Sequence, residues 1–391
     1  MAELQPLRRK FFTFFCQSGI ITGIAGGARR PGEVHLQVRR IAGDDPGAFY
    51  SFVAECEYGD VLQTPAWARL KAASGWKAHY LLAEEGGTAR GACLALERRL
   101  PRLPWSLLYC PRGPVLDWNS PDSFAPMADA LRSLARERGA ILVKIDPPVP
   151  AGGAAARDAI AARSYRPVSS DGFGGTQPRC VMKLDLSRGA DAVFAGFKPK
   201  WRYNVRLAER KGVTVREGGG DDVGAFYELL LETARRDRFL VRGREYFHTM
   251  WQELRRDGLI RVFLGEYEGR LVSGALMYVL GRQAWYTYGA SSNESRNVMP
   301  NHLMQWTMMQ AAMEAGCTVY DFRGVSCRQE EDADDHLQGL NRFKAGFGAS
   351  FVEYIGEFDL PVRPLLYPLW TKAAPAALRL LKRRATAVEA E

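Results

Sequence analysis

Three stretches concentrate residues that could bind or transform a substrate. Residues 197–212 carry six cations, Lys198, Lys200, Arg202, Arg206, Arg210 and Lys211, against one acid, Glu209. Arg202, Arg206 and Arg210 are spaced i, i+4, i+8, so in a helix they stack on one face and repel one another. With Trp201 and Tyr203 at its start, such a stripe suits phosphate contacts and base stacking. Lys200, Arg202, Arg206 and Arg210 are therefore candidate nucleic-acid or polyphosphate contacts, with a solvated helix face as the competing reading. Residues 341–348 place Phe343, Lys344 and Phe347 between Asn341 and two glycines, Gly346 and Gly348. This predicts a tight loop presenting the Lys344 ammonium at a cleft, where a point cation can stabilise developing negative charge; the alternative is a surface lysine. In residues 285–290, strand alternation puts Trp285 and Thr287 on one face and Tyr286 and Tyr288 on the other, lining a pocket or filling a core.

The elements that must position these groups read as α/β. A strand over 34–39 precedes a helix to residue 54, with Asp44 or Asp45 as N-cap and Pro46 at the first helical position. A short helix covers 65–73, strands follow at 79–83, 91–97 and 106–110, then a helix over 122–138 and a strand over 140–146. Residues 150–175, rich in small residues, mark a boundary enclosing a short helix. A second unit starts with a strand at 181–186. It continues through the basic helix, a strand at 213–217, helices at 221–236 and 244–257, strands at 259–267, 270–280 and 283–291, a helix over 301–315 and a strand at 319–324. The order of strand, two helices, three meander strands, helix and strand thus occurs twice without sequence identity, which suggests two acetyltransferase-like α/β units with mixed sheets flanked by helices. An enzyme of that type using acetyl-CoA should carry a glycine-rich turn in the loop that follows residues 285–290. Residues 296–301 contain no glycine, and Pro300 has no amide hydrogen to donate, so coenzyme A is not the expected carrier.

Composition narrows the partners. The chain has 391 residues, 53 basic against 44 acidic side chains and a formal charge of +9, which favours an anionic partner. Seven cysteines at 16, 56, 93, 110, 180, 317 and 327, with no CxxC pair, predict buried thiols rather than a disulfide framework or a zinc knuckle. The five histidines show no metal-ligand spacing, so a metal enzyme is not expected. A basic start at 7–10 precedes an apolar run diluted by polar residues and glycines, too weak to span a bilayer. Residues 1–33 are read as a flexible extension.

The motifs together resemble one family. Residues 200–206 with Lys211-Gly212, Tyr320-Asp321-Phe322-Arg323-Gly324, residues 342–348, 353–359 and 109–117 are similar to those of the FemABX aminoacyltransferases, over about 34–370. The resemblance implies a pair of GNAT-like domains: 34–180, completed by 356–391, and 181–355. It implies transfer of an amino acid from aminoacyl-tRNA to the stem peptide of a peptidoglycan precursor, UDP-MurNAc-pentapeptide or lipid II. No cofactor is implied, and the chain is expected to be a cytoplasmic monomer with peripheral contact at the inner membrane surface. Carried over by position, Lys71 and Arg242 match residues that hold the precursor's phosphates. Asp146, Tyr246 and Tyr288 match acceptor-site residues, and Lys344, with Phe343 beside it, matches the acyl-transfer centre. Ile141 stands where a close member has tyrosine, and 209–221 is too short for the coiled-coil arm of some members.

An aminoacyl ester is already activated, so positioning and oxyanion stabilisation can supply most of the acceleration. Lys344 would stabilise the tetrahedral intermediate, and Asp146 would orient or deprotonate the attacking amine. The basic, leucine-containing segment 376–384 is read as either a lipid-facing or a capping helix. Other readings of the same sequence are an acyl-CoA-dependent N-acyltransferase, an enzyme of capsule or exopolysaccharide assembly, and a non-enzymatic RNA-binding protein.

Overall fold

Local periodicity resolves into two runs of elements that share one plan. The computed structural model describes residues 36–42, 46–120, 123–168, 175–237, 239–327 and 338–372. The N-terminal extension, the proposed caps Asp44 and Asp45, and the basic segment 376–384 lie outside these residues. The first run is β1 (Gln37–Ile41), α1 (Gly47–Glu55), α2 (Pro65–Ala72), β2 (Lys77–Glu85), β3 (Thr88–Arg99), β4 (Ser106–Cys110), β5 (Val115–Leu116), α3 (Phe124–Glu137), β6 (Ala140–Ile145), α4 (Ala154–Ala162) and β7 (Arg166–Val168). The second is β8 (Cys180–Asp185), α5 (Ala190–Ala195), α6 (Pro199–Arg210), β9 (Thr214–Gly218), α7 (Asp222–Asp237), α8 (Arg244–Arg255), β10 (Ile260–Tyr267), β11 (Arg270–Leu280), β12 (Gln283–Ser291), α9 (Pro300–Glu314), β13 (Val319–Gly324), α10 (Gln338–Ala345), β14 (Ser350–Glu353) and β15 (Glu357–Pro361). Pro46 precedes α1 as its N-cap rather than entering it.

The sheets run β1-β2-β3-β4-β6-β15-β7, with β5 on β3, and β9-β10-β11-β12-β13-β8-β14. Each has one parallel pair, β4 with β6 and β12 with β13, because α3 and α9 supply the crossover that a parallel connection needs. One strand crosses between the halves. β8, which opens the second run, inserts between β13 and β14 of its own sheet, while β15 follows β14 in the chain yet returns to the first sheet between β6 and β7. Lys144 on β6 pins the returning strand through Glu357 and Asp359, both 2.9 Å away.

Three cores follow. Phe124, Met127, Leu131 and Leu134 turn the apolar stripe of α3 onto the first sheet. α6 and α9 cover one face of the second sheet with Val205, Met304, Met308 and Met309. The third core lies between the halves, where α2 contributes Trp67 and Leu70 and α8 contributes Phe247, Met250 and Leu254.

Two expectations are corrected. Cys180 and Cys327 form a disulfide with Cα atoms 5.4 Å apart, against the reading of all seven cysteines as free thiols. The partners are 147 residues apart and meet only because β8 is inserted beside β13. Tyr286 and Tyr288 do not share a face: a bulge opposes Leu276 to Tyr288 but Met277 to Tyr286, sending Tyr288 into the inter-half core and Tyr286 into the α6–α9 core. Among the described residues, no helix is long and apolar enough to cross a membrane.

Candidate active site

In the first sheet the parallel strands stay paired through Cys110 and Ile145. In the second, β12 and β13 pair only from Gln283 with Val319 to Trp285 with Asp321, so the strands part beyond that point. Here β13 ends in a turn in which Asp321 Oδ1 accepts the Arg323 N–H at 2.6 Å, an i to i+2 closure typical of aspartate. Arg323 lies in the left-handed region, φ 59°. The carbonyls of Arg323 and Gly324 both receive the Lys344 ammonium, at 3.5 and 2.6 Å. Lys344 sits on α10 and is 4% exposed, not in the surface loop expected from its two glycines. Burial lowers its pKa to about 7, with Asp321 acting in the opposite direction.

The neighbouring glycine has a packing reason. A Cβ on Gly346 would stand 2.0 Å from the Trp201 ring, and Trp201 Nε1 donates to the Phe343 carbonyl at 2.9 Å. Trp201, Phe343 and Phe347 surround His302, whose Nε2 is 3.1 Å from Asn204 Nδ2. Burial, then Lys200, lowers the His302 pKa to about 4, so the ring is neutral near pH 7. Helix α6 thus abuts the Lys344 site. Its cationic stripe is only partly free: Arg202 donates to the carbonyls of Ala195 and Phe197, closing the preceding turn. Arg206 lies over Phe194 and Arg210 over Tyr203, each exposed, as is Lys200.

The fold gathers four further candidates at the α2–α8 seam. Thr64 caps α2 through the Trp67 N–H at 3.3 Å, with Pro65 at the first position. Lys71 then stands 4.4 Å from the Trp67 ring and 3.1 Å from the Tyr246 hydroxyl. Arg242 lies over the other aromatic partner, 4.7 Å from the Tyr246 centroid, and Tyr288 packs on Phe247 at 5.1 Å. Burial and then the Arg242 charge lower the Lys71 pKa to about 8. Burial raises the Tyr246 and Tyr288 hydroxyls. Two cations share this seam with no acid in an ion pair to either among the described residues, an arrangement suited to a phosphate.

Asp146 stands apart from both groups. It is 2% exposed, and its oxygens accept the Tyr109 hydroxyl at 2.9 Å and the Arg112 N–H at 2.6 Å. Burial raises its pKa to about 7, against the opposing pull of Arg112. It holds Arg112 in place instead of facing an open cavity. Arg112, Lys183, Asp321, Arg323 and Asp60 carry no role that the sequence alone predicts. Arg323 reaches Asp60 of the first half at 3.4 Å, joining the halves beside Lys344. The motif containing Asp321 and Arg323 was visible, but only the turn geometry discloses its use.

The FemAB family model matches residues 46–164, 160–266 and 262–374. The lipid II:glycine glycyltransferase of Staphylococcus aureus (strain USA300) is 29% identical over 411 residues, covering 85% of this chain and 97% of that protein. The crystal structure of FemX matches with a TM-score of 0.79 at 28% identity, over 85% of this chain and 99% of that one. A tandem GNAT protein from the clavulanic acid biosynthesis pathway shares the fold, with a TM-score of 0.50 at 15% identity over 84% and 99% of the two chains.

Proposed function

The chain belongs to the FemAB family, and on that premise we propose that it transfers an amino acid from aminoacyl-tRNA to the stem peptide of a peptidoglycan precursor. The observation that carries this reading is the Lys344 ammonium, held by the Arg323 and Gly324 carbonyls where β12 and β13 part. In the reaction a neutral stem-peptide amine attacks the ester carbonyl. A C–N bond forms, the C–O bond to ribose breaks, and one proton passes from the amine to the ribose oxygen. Lys344 stabilises the oxyanion as a preorganised cation, and a pKa of about 7 also lets it deliver a proton to the leaving oxygen near neutrality. Phe343 walls the same site beside His302. Lys71 and Arg242 bind the precursor's phosphates, with Tyr246 and Tyr288 shaping that seam. Asp146 acts through Arg112. The domain division 34–180 with 356–391, and 181–355, is supported by the return of β15 to the first sheet while β14 stays in the second.

Lys200, Arg206 and Arg210 are the tRNA contacts left open on α6. Arg206→Ala with Arg210→Ala is expected to weaken use of charged tRNA and to flatten the plot of log affinity against log salt by about 1.5, the counterion release of two contacts. Acceptor KM should not move. An equal loss for both substrates would make the stripe structural.

An acceptor on a membrane is supported by three exposed leucines of the first half, Leu103 at 48%, Leu365 at 89% and Leu369 at 65%. The chain neighbours of two of them, Pro104 and Arg363, approach each other at Gly139, and Arg99, Arg102 and Arg363 are exposed. Such an apolar patch rimmed by cations suits an anionic bilayer surface. The test is to incubate the full chain with a panel of aminoacyl-tRNAs and either UDP-MurNAc-pentapeptide or lipid II in anionic vesicles. The expected product is the precursor enlarged by one or more aminoacyl masses. No mass increase with any pairing would overturn the reading.

A further inference from the structure

A cleft of about 530 Å³ opens between the halves, away from the Lys71 seam. Its walls include Arg112, Lys183, Arg323, Asp321, Trp285 and Tyr354. We infer that Arg112 and Lys183, arrayed on the Tyr354 ring, form a carboxylate site that takes the free C-terminal end of the acceptor's peptide. The inference rests on the transfer reading above and adds a second anchor for the same substrate.

The cations are preorganised. Arg112 is 3% exposed and in the left-handed region, φ 54°. Its N–H is held by Asp146 and its Nη2 by the Pro178 carbonyl at 2.6 Å. The guanidinium carbon lies 5.0 Å from the Tyr354 centroid, and Lys183 Nζ lies 5.4 Å from the same centroid. Among the described residues neither cation has a carboxylate at ion-pair distance. Arg323, in contrast, has Asp60 at 3.4 Å. The guanidinium beside the Tyr354 ring and the Lys183 ammonium, which donates to the Tyr354 hydroxyl and feels the Asp321 charge, keep further donors for a single small oxyanion.

Charge decides which oxyanion. Glu55, Glu57, Asp60 and Asp321 line the cleft alongside Arg112, Lys183, Arg282 and Arg323, so four formal negatives face four positives. That balance gives no attractive field for a run of phosphates and leaves a local site for one monoanion. Position supports the peptide. The 321–323 segment that walls the cleft also supplies a carbonyl to Lys344. A stem peptide whose side-chain amine reaches the acyl-transfer centre must send its remaining residues onward. Those residues end in a carboxylate, while the phosphates at the other end of the precursor lie at Lys71 and Arg242.

The test measures binding by calorimetry on the full chain, with UDP-MurNAc-pentapeptide, its C-terminal amide and an acceptor-stem RNA hairpin as probes. Wild type is expected to bind the acid about tenfold more tightly than the amide, the scale of one charge-assisted contact. Lys183→Met should remove that tenfold preference and leave the amide and the RNA unchanged. Equal affinity of wild type for acid and amide overturns the inference alone, whatever the variant does. Loss of RNA binding in Lys183→Met with the acid preference intact places a phosphate in the cleft and also overturns it. A wild type that binds neither the acid nor the amide overturns this inference, and the transfer reading falls with it only if lipid II in anionic vesicles also gains no aminoacyl mass. Wild-type binding with the acid preference, but no transfer to any acceptor, overturns only the transfer reading.

Discussion

Lys344→Met is expected to lower turnover at least a hundredfold at pH 7, the scale of losing one preorganised electrostatic contact to a developing oxyanion, while acceptor affinity stays near wild type. The side chain's burial sharpens the expectation in two ways. First, the Lys344 ammonium titrates near neutrality, its pKa lowered by burial to about 7. A reaction that needs the cation should lose turnover as pH rises through about 7, and that fall should be missing from the residual rate of the variant. Turnover that instead climbs through pH 7 and levels off would mean that the neutral amine acts as a base, and the oxyanion role would be lost. Second, the native pKa lies below the ordinary lysine value, so the unfolded chain holds this proton more tightly. The resulting cost to stability is full below about pH 7 and fades as pH rises toward 10.5. The melting temperature of Lys344→Met relative to wild type should therefore be higher at pH 6 than at pH 9. Melting scans at both values separate this from a general loss of fold.

Replacing Lys71 by Met, or Arg242 by Ala, should raise the acceptor KM by about ten- to a hundredfold, since each removes a charge-assisted contact to phosphate. Turnover at saturating acceptor should stay within a few-fold of wild type, because neither group touches Lys344. Lys71 adds a pH signature. Burial and the Arg242 charge bring its pKa to about 8, so free enzyme loses this cation as pH rises through 8 and acceptor affinity should fall with it. Arg242→Ala removes the like charge and should move that fall to higher pH. Initial rates across acceptor concentration, from pH 6.5 to 9.5, measure both. A change in turnover with KM unaltered would remove the phosphate assignment.

The inter-half cleft and the Lys71 seam show why much of the site was hidden. Lys71 on α2 meets Tyr246 on α8, 175 residues away, and Arg112 and Lys183 reach Tyr354 from the turn between β4 and β5 and from β8. No spacing within a motif encodes such encounters. The glycines that mark Lys344 in the sequence do not make a surface loop. Gly346 is there because the Trp201 indole leaves no room for a Cβ, and the lysine is internal.

By itself the sequence determined the elements whose signals are local. Alternation and 3.6-residue periodicity marked β10, β11, β12 and α9 to within one residue, since backbone hydrogen bonding and side-chain direction depend on neighbours a few positions away. The repeated order of those elements and the basic α6 were legible for the same reason. Tertiary structure decided the return of β15 to the first sheet, the insertion of β8 beside β13, the Cys180–Cys327 disulfide, the bulge that separates Tyr286 from Tyr288, and the burial of Lys344. Each depends on which distant segments share a sheet or a core. Burial then shifts the charge state of Lys71 and Lys344, because it withdraws the water that favours an ammonium in the unfolded chain.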